Sequence, residues 1–171
     1  MKDLYNFIRD VPDFPKEGIN FKDISPLLAS ADAFNKAVDA MATPYRQQGV
    51  KKVVGIESRG FIFGIAISTL LNCGFVPVRK PGKLPYKTIR KEYALEYGTD
   101  TVEMHIDAVN PGERVLVVDD VLATGGTMQA TCELLRETKA DIVGLCFLME
   151  LSFLSGRERL TGSPISTVLT Y

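Results

Sequence analysis

The sequence predicts an α/β fold: a twisted, mainly parallel sheet flanked by helices. Short apolar runs that suit strands alternate along the chain with longer amphipathic segments that suit helices, and this alternation is typical of parallel sheets. Residues 115–118 are apolar at every position, as expected of a strand that is buried on both faces. The 171 residues contain no repeat and no long linker, so we expect a single domain over residues 1–171.

The order of the elements follows from these patterns and from the residues that interrupt them. Pro44 is expected to kink the first long helix, Asn72 and Gly74 to end the second, and residues 110–112 to form a turn. The predicted elements are helix 32–48, strand 52–56, helix 60–71, strand 75–79, strand 115–118, helix 128–138, strand 142–149 and edge strand 164–169.

The most informative segment follows the strand at residues 115–118. Asp119 and Asp120 come at its end, where open α/β sheets bind ligands. A loop of small residues then opens into a helix, and its backbone N–H groups, its hydroxyls and the helix N-terminus together suit a phosphate. Carboxylates beside it suit sugar hydroxyls or Mg²⁺, so the segment predicts a ribose 5-phosphate site. This phosphate loop consists of Ala123, Thr124, Gly125, Gly126 and Thr127.

A plain strand–turn–helix is the alternative interpretation of this segment. It explains the glycines as a tight bend and leaves the paired carboxylates and the two threonines unexplained. The chain contains neither the nucleoside-triphosphate motif Gly-x-x-x-x-Gly-Lys-Ser/Thr nor the dinucleotide motif Gly-x-Gly-x-x-Gly. A ribose phosphate is therefore favoured over a nucleoside triphosphate or a dinucleotide.

A second anion site is predicted after the strand at 52–56. Ser58, Arg59 and Gly60 lie between that strand and the next helix, so backbone amides and a guanidinium are expected to point at one place. Because this turn ends a neighbouring strand, the site would hold a second phosphate-like group several ångströms from the first.

Two appendages are expected to cover the strand ends. The first, at residues 11–24 (the hood), is rich in proline and contains two aromatic rings. Phe14 is interpreted as a core residue, whereas Phe21 could stack on a purine. The second, at about residues 79–98 (the lid), has six basic residues within 79–91. We interpret it as a mobile cover for a polyanionic substrate, with a solvated hairpin or an RNA-binding patch as alternatives.

Composition excludes several classes of function. The net charge of −1 argues against a general nucleic-acid or membrane-surface partner. His105 is the only histidine, which excludes histidine-based metal sites and Ser/His hydrolases. The start of the chain has no apolar targeting core, and the cysteines are three and widely spaced, as expected of reduced thiols in a cytoplasmic protein.

Five segments together resemble a known family. Residues 115–127 resemble the signature of type I phosphoribosyltransferases, which bind 5-phosphoribosyl 1-pyrophosphate (PRPP). Taken with Pro-Asp-Phe-Pro at 12–15 and Gly-Ile-Asn-Phe-Lys-Asp-Ile at 18–24, Glu-Ser-Arg-Gly-Phe at 57–61, the segment 79–85 and Leu-Glu-Tyr-Gly at 95–98, the chain looks like the adenine phosphoribosyltransferases. The motifs come in the family's order and span nearly the whole chain.

The resemblance implies a function for each of these residues. The phosphate loop would hold the 5-phosphate, Asp119 and Asp120 the ribose hydroxyls, and Arg59 with its neighbouring amides the pyrophosphate. Adenine would lie beneath Phe21, and Glu96 would handle its proton. Further expected contacts are Arg79 and Lys83 on pyrophosphate, one of them across a dimer interface, and the backbone of Asn20 and Lys22 on the adenine edge.

The resemblance also implies the reaction and its partners. PRPP and adenine would give AMP and pyrophosphate, in purine salvage, by a homodimer. Mg²⁺ would be carried mainly by PRPP, with no direct protein ligand and a water bridge to Asp119 or Asp120. A cis peptide is expected at Glu57–Ser58. Asn20 and Lys22 depart from the residues usual at those positions, which leaves open another purine, such as xanthine, while a PRPP-binding regulator without catalysis is the second alternative.

Overall fold

The computed structural model describes residues 2–94 and 98–171 and is built around a parallel sheet. Within those residues the sheet has five strands in the order β4-β3-β7-β8-β9, and every neighbouring pair is parallel. The predicted parallel sheet, with residues 164–169 at its edge, is confirmed. Its strands are β3 (Lys52–Ile56), β4 (Gly74–Val78), β7 (Arg114–Leu122), β8 (Asp141–Glu150) and β9 (Ile165–Thr170).

Helices cover both faces of the sheet, as expected. The helices α1 (Ser25–Ala29), α2 (Ala31–Ala42) and α3 (Arg59–Leu70) pack with one face, and α4 (Gly126–Glu137) packs with the other. Alternate residues of β7 divide between the two cores, since Leu116 and Val118 face α2 and α3 whereas Val115 and Val117 face α4. The apolar run at 115–118 is thus explained by burial on both faces.

Two predicted boundaries are wrong. The helix expected over residues 32–48 ends at Ala42 and continues only as the 3-10 turn Thr43–Tyr45, because Pro44 cannot donate a helical hydrogen bond and its ring crowds the preceding turn. The strand expected at 115–118 runs on to Leu122, since its backbone stays paired with β8 as far as Glu150. Asp119 and Asp120 therefore lie inside the strand rather than after it.

The two ends of the hood are joined by a short antiparallel pair, β1 (Arg9–Val11) with β2 (Phe21–Asp23). The expectation that Phe14 is a core residue is wrong, because its side chain is 51% exposed. Its ring meets the ring of Phe21 edge to face, with 5.2 Å between their centres. Phe14 therefore supports the second ring from outside.

Much of the lid is regular structure. Strand β5 (Thr88–Ala94) pairs along its whole length with β6 (Thr99–His105) as an antiparallel hairpin, and its function as a lid stays a prediction. It packs against α4, where Lys91 forms an ion pair with Glu133. Glu103 on β6 is buried, and the segment at Gly82 donates a backbone hydrogen bond of 3.2 Å to its Oε2.

Within residues 2–94 and 98–171, no helix combines the length and the apolar character that a membrane crossing requires. In the same part of the chain the three cysteines are free thiols, and Cys132 and Cys146 are buried.

Candidate active site

The residues predicted for the site meet at the carboxyl ends of β3 and β7. One cavity there has a volume of about 430 Å³ and is bordered by the hood, by the turn before α3 and by the acidic pair. A second cavity of about 80 Å³ lies within the phosphate loop, and Asp119 and Val121 line both. The first cavity is lined by Phe21, Glu57, Ser58, Arg59, Asp119, Asp120 and Val121.

Three of the predicted residues lie elsewhere or outside the structure. Glu96 falls between the described ranges 2–94 and 98–171, so its expected proton transfer stays a prediction. Asn20 is exposed at the start of β2. The side chain of Lys22 is paired with Asp10 and lies 4.3 Å from the centre of the Tyr171 ring, so only its backbone remains free to meet a base.

The phosphate loop owes its shape to two glycines, one of which was not predicted. Gly125 has a φ of 80° and precedes α4 directly, a conformation that glycine adopts without strain. Gly156, from the 3-10 turn Gly156–Arg159, packs against the outside of the loop: a Cβ there would lie 2.0 Å from the backbone oxygen of Ala123. Arg157 then fixes this turn through hydrogen bonds of 3.0 and 2.5 Å to Glu150 at the end of β8.

We expect Gly156→Ala to lower kcat/KM for a phosphate-bearing substrate by about 10–100-fold, because misplacing a binding loop by about 1 Å can cost that much. The added methyl group meets backbone atoms of Ala123 and Gly125, which have no flexible side chain to move aside. The check is steady-state kinetics with the phosphate substrate varied.

Gly112→Ala is the matched control for that substitution. Gly112 has a φ of 76° with open space around it, in the turn before β7, so alanine there strains the backbone without touching the loop. If both variants lose the same small amount of kcat/KM, Gly156 has no special contact with the phosphate loop.

The acidic pair is buried and electrostatically unfavourable. Asp120 is 5% exposed, and its Oδ2 accepts no well-aligned hydrogen bond from the described residues, although it forms an ion pair with Arg59. Burial raises the pKa of Asp119 well above its ordinary value, and the neighbouring charge of Asp120 raises it further. Burial also raises the pKa of Asp120, although the Arg59 guanidinium opposes the shift. Carboxyl groups with pKa values perturbed in this way, lining a cleft, mark a candidate functional site.

Arg59 compensates part of this charge in the structure. Its Nε lies 2.8 Å from Asp120 Oδ2, and its guanidinium carbon lies 5.1 Å from the centre of the Phe21 ring. Gly60 allows this close approach of α3 to β7, because a Cβ there would lie 2.8 Å from Asp119 Oδ1. Arg59 therefore connects the acidic pair, the aromatic ring and the anion-binding turn.

The turn before α3 has the predicted cis peptide at Glu57–Ser58. Glu57 itself was not predicted as a site residue, yet it holds the two basic residues of the lid that were. It accepts hydrogen bonds from Arg79 at 3.2 and 3.3 Å, from Lys83 at 2.6 Å and from the Lys80 backbone at 3.1 Å. Burial works to raise the pKa of Glu57, but the hydrogen bonds from Arg79 and Lys83 outweigh it and bring the pKa to about 2.

The structure indicates how a divalent cation could be held. In the described part of the chain there is no group of three histidine, cysteine, aspartate or glutamate residues that could hold a metal ion. Mg²⁺ is commonly bound by one or two carboxylates together with the phosphates of a substrate. The adjacent carboxylates of Asp119 and Asp120 suit that arrangement, with Asp120 Oδ2 paired with Arg59 in this structure, and they suit a metal-bound water equally.

Comparisons with known proteins show the family of this chain. The family model described as phosphoribosyl transferase domain matches residues 28–161. An adenine phosphoribosyltransferase of Myxococcus xanthus is 56% identical over 99% of this chain and 92% of its own length. One from Syntrophotalea carbinolica is 56% identical over the full length of both chains, that is 100% of each.

Solved structures give the same result. The adenine phosphoribosyltransferase of Rhodothermus marinus superposes with a TM-score of 0.95 at 53% identity, covering 99% of this chain and 97% of its own. That of Saccharomyces cerevisiae, complexed with an imino-altritol bisphosphate and adenine, gives a TM-score of 0.93 at 39% identity over 98% and 97%. That of Trypanosoma brucei, in complex with AMP, pyrophosphate and ribose-5-phosphate, gives 0.90 at 27% over 99% and 78%.

Proposed function

This chain belongs to the adenine phosphoribosyltransferase family, and we infer that it transfers the phosphoribosyl group of PRPP to adenine, giving AMP and pyrophosphate. The observation that carries the inference is the order of groups along one cleft: a phosphate loop, a carboxylate pair and a second anion-binding turn beside an aromatic ring. PRPP has a phosphate at one end, a diol in the middle and pyrophosphate at the other end, so each group meets a matching partner.

Each part of the cleft takes one part of the substrates. The phosphate loop (Ala123, Thr124, Gly125, Gly126 and Thr127) binds the 5-phosphate through backbone N–H groups and the N-terminus of α4. Asp119 and Asp120 accept hydrogen bonds from the ribose hydroxyls. Phe21 stacks on adenine, while the backbone at Asn20 and Lys22 contacts the adenine edge.

The pyrophosphate is bound by an exchange of ion pairs. When a ribose hydroxyl donates to Asp120, Arg59 is released from that carboxylate and turns to the pyrophosphate. Arg79 and Lys83, held on Glu57 in the same chain, lie next to the same turn and exchange Glu57 for phosphate oxygens. Phosphate is a better partner for these residues because it offers more acceptor atoms and more charge.

The chemistry follows from this arrangement. The bond between ribose C1 and pyrophosphate breaks through an oxocarbenium-like transition state while purine N9 forms the new bond to C1. Arg59, Arg79 and Lys83 stabilise the charge that develops on the leaving pyrophosphate, and Glu96 holds the proton that leaves the purine. The lid excludes water, which would otherwise hydrolyse PRPP. Mg²⁺ bound with PRPP supplies additional charge neutralisation on the phosphates.

One assay tests the function directly. The purified chain is incubated with PRPP, Mg²⁺ and each purine base, and nucleotide formation is followed by chromatography. AMP formed from adenine, far faster than nucleotide from xanthine, hypoxanthine or guanine, is the expected result. Nucleotide from xanthine alone would support the other-purine alternative, and tight PRPP binding without any nucleotide would support the regulator.

The assembly is proposed to be a homodimer formed through α3. Ile62, Ile65 and Leu70 on this helix are 39%, 52% and 42% exposed, and closed two-fold dimers are the commonest assemblies. Because α3 begins at Arg59, the interface would lie next to the anion-binding turn that precedes this helix. Sedimentation should give a dimer for the parent chain and a monomer for Ile65→Glu, and a parent that is active as a monomer would contradict the proposal.

The cellular setting is proposed to be the cytoplasm, without a membrane or nucleic-acid partner. The net charge of −1 and the free thiols Cys73, Cys132 and Cys146 support this setting.

A further inference from the structure

A tyrosine of the lid touches the phosphate loop. Tyr93 lies on β5, and its hydroxyl is 3.0 Å from the Oγ1 atom of Thr127. Its ring fills the space left by Gly126, where a Cβ would lie 3.4 Å from Tyr93 Cδ2. The lid therefore meets the phosphate loop through one ring and one hydroxyl group.

The same hydroxyl group belongs to a small polar cluster. Lys80 Nζ donates to it at 3.0 Å, and Asp100 Oδ2 lies 3.1 Å away. Lys80 is also paired directly with Asp100. Burial works to raise the pKa of Asp100, but hydrogen bonds from Lys80, the Thr101 backbone and Tyr93 lower it overall. Asp100 is therefore a carboxylate that can only accept hydrogen bonds.

These partners favour one direction for each hydrogen bond. A tyrosine hydroxyl has one hydrogen to donate and can accept two. Lys80 has only hydrogens to offer and ionised Asp100 has none, so the hydrogen of Tyr93 points to Asp100. With that hydrogen directed to Asp100, Thr127 donates its own hydrogen to Tyr93, although either hydroxyl group can be the donor at this distance.

A bound phosphate changes that direction. The phosphate oxygens are acceptors, and Thr127 has a single hydroxyl hydrogen. We propose that Tyr93 is a positioning residue that orients the Thr127 hydroxyl group and links occupancy of the phosphate loop to the lid. When Thr127 donates to the phosphate, Tyr93 donates to Thr127, and Asp100 keeps Lys80 as its partner. This inference rests on the proposed function only in assigning a 5-phosphate to the loop.

The hairpin has a separate attachment, so the hydroxyl group can be tested by itself. Lys91 joins β5 to α4 through Glu133 at 3.0 Å and Glu137 at 3.6 Å. Tyr93→Phe keeps these ion pairs and the ring packed on Gly126, and it removes only the hydrogen bonds of the hydroxyl group. A change in phosphate binding would then come from Thr127 and not from detachment of the lid.

The test measures binding of ribose 5-phosphate and of inorganic pyrophosphate to the full chain by calorimetry. Tyr93→Phe is expected to weaken ribose 5-phosphate by about threefold to tenfold, the size of one hydrogen bond, and to leave pyrophosphate within about twofold of the parent. In a Thr127→Val background the effect of Tyr93→Phe should vanish, since the partner is absent. In the enzyme assay, KM for PRPP should rise while kcat stays near that of the parent.

Tyr45→Phe is the matched control. It also removes one tyrosine hydroxyl group, which lies 2.7 Å from Ser166 Oγ in the other core of the sheet, and ribose 5-phosphate affinity should not change. Unchanged ribose 5-phosphate affinity in Tyr93→Phe, or an equal loss with and without Thr127, would overturn the proposal. A parent that binds ribose 5-phosphate but makes no AMP would count against the proposed function alone.

Discussion

Replacing both Asp119 and Asp120 by asparagine is expected to weaken PRPP binding by about 10²–10⁴-fold and adenine binding far less. In the proposed complex each carboxylate accepts a charge-assisted hydrogen bond from a ribose hydroxyl, and such a bond contributes about 1.5–3 kcal/mol. The two together give about 3–6 kcal/mol, which corresponds to that loss of affinity. Calorimetry with PRPP and with adenine in separate titrations measures the two losses of affinity.

The same double variant should be more stable than the parent at neutral pH. Because burial raises the pKa of both carboxyl groups in the folded chain, the folded state binds more protons than the unfolded state between the ordinary value of 3.8 and the raised values. Stability is therefore lost as the pH rises through that window. Asparagine cannot ionise, so urea unfolding should show a variant whose advantage grows from about pH 4 upward.

A matched control and a clear negative outcome accompany this prediction. Asp107→Asn removes a carboxylate from an exposed position beyond β6, away from the cleft, and should change neither PRPP affinity nor stability much. If the double variant lost PRPP and adenine equally, the ribose assignment of the pair would be wrong. If it lost stability at neutral pH, the pair would contribute to the fold instead of opposing it.

The parallel sheet could be predicted because short-range sequence patterns indicate its strands and helices. Alternating apolar runs and breaks at Asn72, Pro44 and residues 110–112 are visible in the sequence, and right-handed crossovers leave few topologies for such an order. The end of a strand could not be predicted where its pairing with a neighbouring strand determines it. β7 continues through Asp119 and Asp120 because β8 remains paired beside it, and nothing in the two aspartates themselves indicates this.

The missed site residues depend on contacts between distant parts of the chain. Gly156 matters because it touches Ala123 and Gly125, and Glu57 matters because Arg79 and Lys83 fold back onto it. In the sequence Gly156 is one of 14 glycines, with no motif to distinguish it. Glu57 lies within the Glu-Ser-Arg-Gly segment. A single acidic residue beside a predicted anion site could have indicated that it binds the basic residues of the site while the anion is absent.

The ion pairs of Glu57 with Arg79 and Lys83 affect both the stability of the fold and the binding of anions. Hydrogen bonds from Arg79 and Lys83 bring the pKa of Glu57 to about 2, so its stabilising contribution is present above the ordinary value of 4.5 and is lost as the pH falls toward 2. Near neutral pH the basic residues are held by a full carboxylate charge. To bind Arg79 and Lys83, pyrophosphate must therefore interact with them more strongly than Glu57 does. Binding of weaker anions at this turn is disfavoured.

Glu96→Gln is expected to lower kcat by about 10²–10⁴-fold with little change in PRPP affinity. Glu96 lies outside the described ranges 2–94 and 98–171, and its assignment rests on the resemblance of the Leu-Glu-Tyr-Gly segment to the family. Glutamine keeps the shape of the side chain and most of its hydrogen bonding but cannot take a proton, and a positioned acid or base usually contributes that much. Because the proton moves only as N9 reacts, kcat should fall while substrate binding does not.

The measurement has to isolate the chemical step. Single-turnover formation of AMP, with enzyme in excess over PRPP and adenine saturating, reports that step without product release. Asp107→Asn, at an exposed position beyond β6, removes a carboxylate far from the cleft and should react at the parent rate. A Glu96→Gln variant that also reacts within a few-fold of the parent would contradict the assignment, and the purine proton would then be taken by water or by the pyrophosphate itself. In that case the lid would act only by excluding solvent and by holding the pyrophosphate with Arg79 and Lys83.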